Sequence, residues 1–119
     1  MIDVTSLFGK WNNALQSGKP ELVSALYAPD AILVPTMSNQ IRHNKAEIED
    51  YFVHFLTHKP IGKIIENNIR IYNDWAVNSG LYTFGFKDGR SVVARFTFVY
   101  RQVGGNWLIA EHHSSQMPE

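Results

Sequence analysis

The spacing of apolar positions changes partway along the chain. Leu7, Phe8, Trp11 and Leu15 recur with the helical period and predict a first helix with one apolar stripe. Asp3 or Thr5 can cap its start, and Gly18 ends it. Pro20 opens a short second helix that buries Val23, Leu26 and Tyr27 and closes at Pro29-Asp30. Ala31 to Val34 reads as a short strand stopped at Pro35, and residues 36–42 as a loop or a hairpin arm. Asn44 and Glu47 have the spacing of a capping box, so a third helix follows and runs to about Thr57. Ile48, Tyr51, Phe52, Phe55 and Leu56 form its apolar face, and Pro60 and Gly62 mark the break.

Beyond Gly62 the pattern is that of strands. Residues 64–72, 75–86, 91–101 and 106–115 predict four, the second interrupted at Gly80. Asn73-Asp74, Asp88-Gly89 and Gly104-Gly105 supply turns between them. Three tight connections in succession imply an antiparallel meander. Helices first and a long sheet afterwards define an α+β chain with the helices on one face of a twisted antiparallel sheet. The third of these strands is apolar on both faces. Val92, Ala94, Phe96, Phe98 and Tyr100 alternate with Val93, Arg95, Thr97, Val99 and Arg101. Three short helices cover one face, so a second copy of the chain is the expected cover for the other. A strongly curled sheet burying both its own faces is the rival reading.

Composition narrows the function classes. The 119 residues suit one domain, 1–119, with one modest core. Eleven basic and 11 acidic residues cancel, which gives no basic face for nucleic acid and no strong repulsion between copies. Absence of cysteine removes disulfides and thiolate chemistry. No leader pattern or membrane-length apolar run is visible, so a cytoplasmic protein is expected, with no membrane partner.

The fourth strand of the meander starts as core material and ends in Glu111-His112-His113-Ser114-Ser115. Alternation places Glu111, His113 and Ser115 on one face and His112 and Ser114 on the other. Glu111 with His113 is a minimal acid–base pair, and so a candidate catalytic couple. A structural hydrogen bond or a subunit contact would use the same residues. Arg95 sits mid-strand between apolar neighbours, where a guanidinium needs a carboxylate from a ligand or from within the chain, for instance Glu111. His54 and His58 share a helix face, yet lack the intervening glutamate of a zincin and any third ligand, so no metal is expected. Trp11, Tyr51, Tyr82, Trp75 and Tyr100 can line a pocket or simply fill a core.

Several segments, in order, resemble a known family. They are Gly18-Lys19-Pro20-Glu21, Tyr27-Ala28-Pro29-Asp30-Ala31, Pro35, Tyr51-Phe52, Ala94-Arg95-Phe96-Thr97, and the final strand from Trp107 to His113-Ser114-Ser115. They resemble the nuclear-transport-factor-2-like (SnoaL-like) superfamily. Within it they are most similar to the association, or hub, domain of calcium/calmodulin-dependent kinase II and its small bacterial relatives. The resemblance implies a cone: N-terminal helices packed on a strongly curved antiparallel sheet around a cavity, with copies assembled as dimers or rings of dimers. It implies that Arg95 faces the cavity, with Arg70 near its mouth, and that a small organic anion binds there. Tyr82, Tyr51, Trp11, His113 and Glu111 would then complete the ligand site, and His112, Ser114, Phe96 and Phe98 would fall at the subunit contact. Kinase activity is not implied, and no nucleotide or flavin fingerprint calls for a cofactor. The expected function is a homo-oligomeric association-domain-like protein whose cavity binds a carboxylate-bearing ligand. The alternatives are an isomerase, cyclase or hydrolase using the His/Glu pair, and a purely structural assembly domain.

Overall fold

A computed structural model describes residues 3–118. Met1, Ile2 and Glu119, which the expected single domain includes, lie outside the described residues.

Helix α1 spans Val4–Ser17 and is capped by Asp3, whose side chain accepts from the Thr5 amide at 3.1 Å. It stops at Gly18, which takes the left-handed conformation (φ 74°) that glycine adopts without penalty. Val4, Leu7, Phe8, Trp11 and Leu15 form its buried stripe. Helix α2, Pro20–Ser24, begins on the expected proline. It is shorter than the sequence suggests, because Tyr27 already opens strand β1, Tyr27–Val34. Pro29 and Asp30, read from the sequence as a helix end, stand inside that strand at a break in its register. Helix α3, Lys45–Phe55, is capped by Asn44, which accepts from the Glu47 amide at 2.9 Å. Glu47 reaches back to the His43 amide at 2.8 Å, one residue before the cap, and these bonds lower its pKa. A single 3-10 turn, Leu56–His58, follows.

Strands β2 (Ile61–Tyr72), β3 (Trp75–Gly85), β4 (Ser91–Val103) and β5 (Asn106–Gln116) form the predicted meander. Among the described residues the sheet has five strands in the order β1-β5-β4-β3-β2. The expected strongly curved, wholly antiparallel sheet is corrected on two counts. The sheet is mixed, since β1 runs parallel to β5. It is also open, with β1 and β2 as its separate edges. Nothing local in β1 announces a partner about 80 residues away, and a meander read by itself gives only antiparallel pairs.

Two irregularities set the geometry of the sheet. In β2 the register shifts between Ile64 and Glu66, and the Glu66 carbonyl crowds Gly80 of β3. A β-carbon at Gly80 would lie 2.0 Å from that oxygen, so this glycine permits a close backbone approach and does not interrupt the strand. In β5 an extra residue, Ala110, separates the pairs Tyr100↔Ile109 and Val99↔Glu111. That bulge inverts the alternation. Ile109 faces the helices, but so do His112 and Ser114, while Glu111 and His113 turn outward.

The core lies between the helices and one sheet face. Tyr82, Phe84, Ala94, Phe96, Phe98, Tyr100 and Ile109 from the sheet meet Phe8, Trp11, Leu15, Ile48, Phe52 and Phe55 from the helices. Among the described residues no element covers the opposite face. Tyr72 (58% exposed), Trp75 (41%) and Val93 (40%) stand open on it.

Candidate functional site

The inner face closes a narrow aromatic slot between α3 and the sheet. Trp11, Tyr51, Phe52, Phe55, Tyr82, Phe84 and Phe86 wall it, with Pro35, Thr36 and Met37 of the loop after β1 at its rim and His112 and Ser114 at its polar end. Its free volume is about 20 Å³, the room of a single water.

The polar groups at that end form one continuous hydrogen-bond chain, whose direction as far as Ser114 follows from Trp11 and Tyr82 as donors. An indole N–H can only donate, so Trp11 Nε1 donates to Tyr27 Oη at 3.1 Å. Tyr27 then gives its own proton to His112 Nδ1 at 2.9 Å. His112 is 3% exposed, and burial, reinforced by neighbouring His113, pulls its pKa down to about 3. The imidazole is therefore neutral at pH 7. A neutral ring accepting at Nδ1 donates from Nε2, and Tyr82 Oη lies 3.2 Å away. Tyr82 donates to Ser114 Oγ at 2.6 Å, and Ser114 in turn contacts Thr36 Oγ1. Between Ser114 and Thr36 either hydroxyl can donate, and Thr36 ends the chain at the rim of the slot. Burial raises the pKa of Tyr27 and Tyr82 well above that of a free phenol, and that of Tyr51 to about 12, so all three stay protonated. Ring stacking holds the members in place: Trp11 lies parallel to Tyr82 (centroids 6.3 Å apart) and Phe98 stacks on His112 at 4.0 Å.

The structure divides the residues expected to form one site. Trp11, Tyr51 and Tyr82 line the inner slot. Arg95, Arg70, Glu111 and His113 do not, because all four are exposed on the outer face. Arg95 pairs in register with Leu81 and Ser115, and His113 with Thr97, so they do stand together there, around an open depression that includes Glu66, Asn68 and Ser79. Arg70 donates weakly to Ser79 Oγ at 3.5 Å. Placing Arg95 and the Glu111/His113 pair in the helix-covered cavity is thus corrected, and for a simple reason. Ala94, Phe96, Phe98 and Tyr100 carry far more apolar surface than the alternate set, so hydrophobic burial turns them to the helices and Arg95 to the outside. The assignment of Phe96, Phe98, His112 and Ser114 to a subunit contact falls on the same ground, since all four are buried inside the chain.

Tyr27 and Thr36 are members of the chain that sequence reasoning did not single out as site residues. Tyr27 read as a helix core residue, and Thr36 follows a proline in a loop with no periodicity. The polar run at 111–115 carried the remaining signal, but with its faces exchanged by the Ala110 bulge. Among the described residues no group of three His, Asp or Glu side chains converges as a metal site would require, and no helix is long and apolar enough to cross a membrane.

An α+β layer of helices on a meander with one parallel edge defines the NTF2-like, cystatin-like class. An NTF2-like protein of unknown function from Pseudomonas putida KT2440 matches it with a TM-score of 0.86 at 18% identity, covering 98% of this chain and 85% of that one. An NTF2-like protein with a cystatin-like fold from Novosphingobium aromaticivorans gives 0.80 at 12% identity, over 96% and 79%. At such identities the likeness concerns the fold alone. The family is narrower. The sequence profile of the calcium/calmodulin dependent protein kinase II association domain matches residues 1–118, and the chain belongs to that family. A solved association domain of this kind from Xanthomonas campestris is 50% identical, with a TM-score of 0.93 over 98% of this chain and 86% of that one. No curated protein matches the sequence.

Proposed function

We propose that the protein is a homo-oligomeric association domain whose copies meet on the outer face of the sheet. One observation carries this reading: that face is broad, half apolar and uncovered. Trp75, Val77, Leu81, Val93 and Val99 alternate on it with Lys63, Glu66, Arg70, Arg95, Glu111 and His113. An apolar surface of this extent favours a cover. Charges of both signs on one patch suit an isologous contact, in which each copy offers acids to the other's bases. Arg95 would pair across such a contact, which replaces the ligand carboxylate expected for it. The cysteine-free sequence supports a reducing, cytoplasmic setting.

Light scattering on the purified chain tests this. The expected mass is a multiple of 13.6 kDa at micromolar concentration, and the double variant Leu81→Glu, Val99→Glu falls to 13.6 kDa while keeping its far-UV spectrum. A native chain at 13.6 kDa, or an unchanged mass in the variant, rejects the outer face as the contact.

A second reading has its own support. The hydrogen-bond chain from Trp11 to Thr36 is more polar apparatus than an aromatic core requires, and it ends at a slot that opens to the surface. We infer that the slot is a small-molecule site. Acid–base chemistry by Glu111 and His113 has no comparable support, because both are solvated on the outer face.

A further inference from the structure

Resting on that reading of the slot, we propose that it and the adjoining groove bind an uncharged, single-ring organic molecule that presents a carbonyl oxygen to the Thr36 hydroxyl. Direction is the first argument. Trp11, Tyr27, His112 and Tyr82 each pass a proton outward as far as Ser114, and with Ser114 as the donor to Thr36 the Thr36 hydroxyl hydrogen is left for a visitor. An amine or ammonium would set a donor against that hydrogen. A carbonyl takes it.

Charge is the second argument. Among the described residues no lysine or arginine lines the slot, and Arg90 is the one on the adjoining groove. The Arg42 and Arg90 guanidinium groups are already engaged. Arg42 lies 5.1 Å over the Tyr51 ring and donates to Ser38 Oγ and the Gln40 carbonyl, and Arg90 pairs with Asp88 at 2.7 Å. A carboxylate drawn in against Thr36 would lose its hydration with one neutral donor in return, which is unfavourable. A neutral carbonyl loses much less.

Shape is the third. The slot itself is nearly full, but Thr36, Met37, Phe86 and Val92 line both the slot and a groove of about 160 Å³ with His58, Arg90, Ser91 and Gln116. That is the room of roughly five waters, enough for one ring with a short substituent. Met37 is 54% exposed and unbranched, so it can shift over an incoming ring. The ring would lie on Phe86, Val92 and Met37, with its carbonyl reaching inward to Thr36.

Titrating the full chain by amide NMR with three matched probes tests the proposal. Acetophenone carries the carbonyl, ethylbenzene lacks it and benzoate replaces it with a charge. Acetophenone is expected to bind most tightly and to shift Thr36, Val92 and Ser114. Thr36→Val, which removes only the hydroxyl, should weaken acetophenone about fivefold and leave ethylbenzene unchanged, and Thr36→Ser should restore the affinity. Tighter binding of benzoate, or an unaffected acetophenone affinity in Thr36→Val, overturns the neutral-carbonyl assignment while leaving the slot as a binding site. If none of the three probes shifts these residues, both fail.

Discussion

The two faces of one sheet obey different rules. On the inner face every polar group of the Trp11–Tyr27–His112–Tyr82–Ser114–Thr36 chain is held by its neighbours. On the outer face Glu66, Arg95, Glu111 and His113 stand exposed within a few residues of one another. The residues alternate along the same strands, so local sequence does not separate them. Water does. A buried donor without an acceptor costs on the order of 1–3 kcal/mol, which favours pairing of these inner polar groups, although Tyr100 Oη and Asn78 Oδ1 are buried on the same face without a partner among the described residues. Outer groups keep their hydration and stay free for a partner. The inner face can therefore specify one arrangement, while the outer face can serve as a surface that assembles.

The largest break in that contrast is expected at Phe98. Phe98→Ala removes a fully buried ring stacked on His112 and should cost about 3–5 kcal/mol in urea unfolding at fixed protein concentration. In a monomeric background Val99→Ala, one residue along and turned outward, should cost under about 1 kcal/mol. Similar losses at the two positions would show that the faces do not differ as described.

Acid sharpens the comparison next. His112 has its pKa lowered to about 3 in the fold by burial, against about 6.5 in an unfolded chain. Between those values the unfolded state binds a proton that the folded state refuses, so stability declines as pH falls, by up to ~1.4 kcal/mol per unit. The contribution of neutral His112 is complete above about pH 6.5. His112→Phe should flatten this part of the pH–stability profile relative to the native chain. Parallel profiles for the two proteins would mean that His112 is not kept neutral.

The smallest effect is expected at Arg95. In a monomeric background Arg95→Gln should change the unfolding free energy by no more than about 0.5 kcal/mol, since Arg95 is exposed and makes no ion pair among the described residues. A loss of several kcal/mol would point to an intramolecular ion pair and against a role for Arg95 between copies.

Much of the fold was legible because it is encoded locally. Asp3, Gly18, Pro20 and Asn44 mark helix ends through backbone geometry that depends on one or two residues. The Asp88-Gly89 and Gly104-Gly105 turns likewise set the meander. Arg95, His113 and Ser115 were correctly grouped, since parity and antiparallel register need only short-range regularity. Their side of the sheet was not legible. The choice of face compares total apolar surface across several strands, and in β5 it also turns on Ala110, a single inserted residue with no sequence signature.

The sequence by itself determined the helices, the four-strand meander, the family and the pairs of residues that share a face. The helices, the meander and the shared faces follow from periods, caps and turns that act over a few residues, and the family from the resemblance of its ordered segments. Only the tertiary structure decided that β1 joins β5 in parallel, that the sheet stays open, and that His112 and Ser114 rather than Glu111 and His113 belong to the inner slot. Those outcomes depend on contacts between residues far apart in the chain and on where the helices settle, and apolar burial summed over the whole molecule is what selects them.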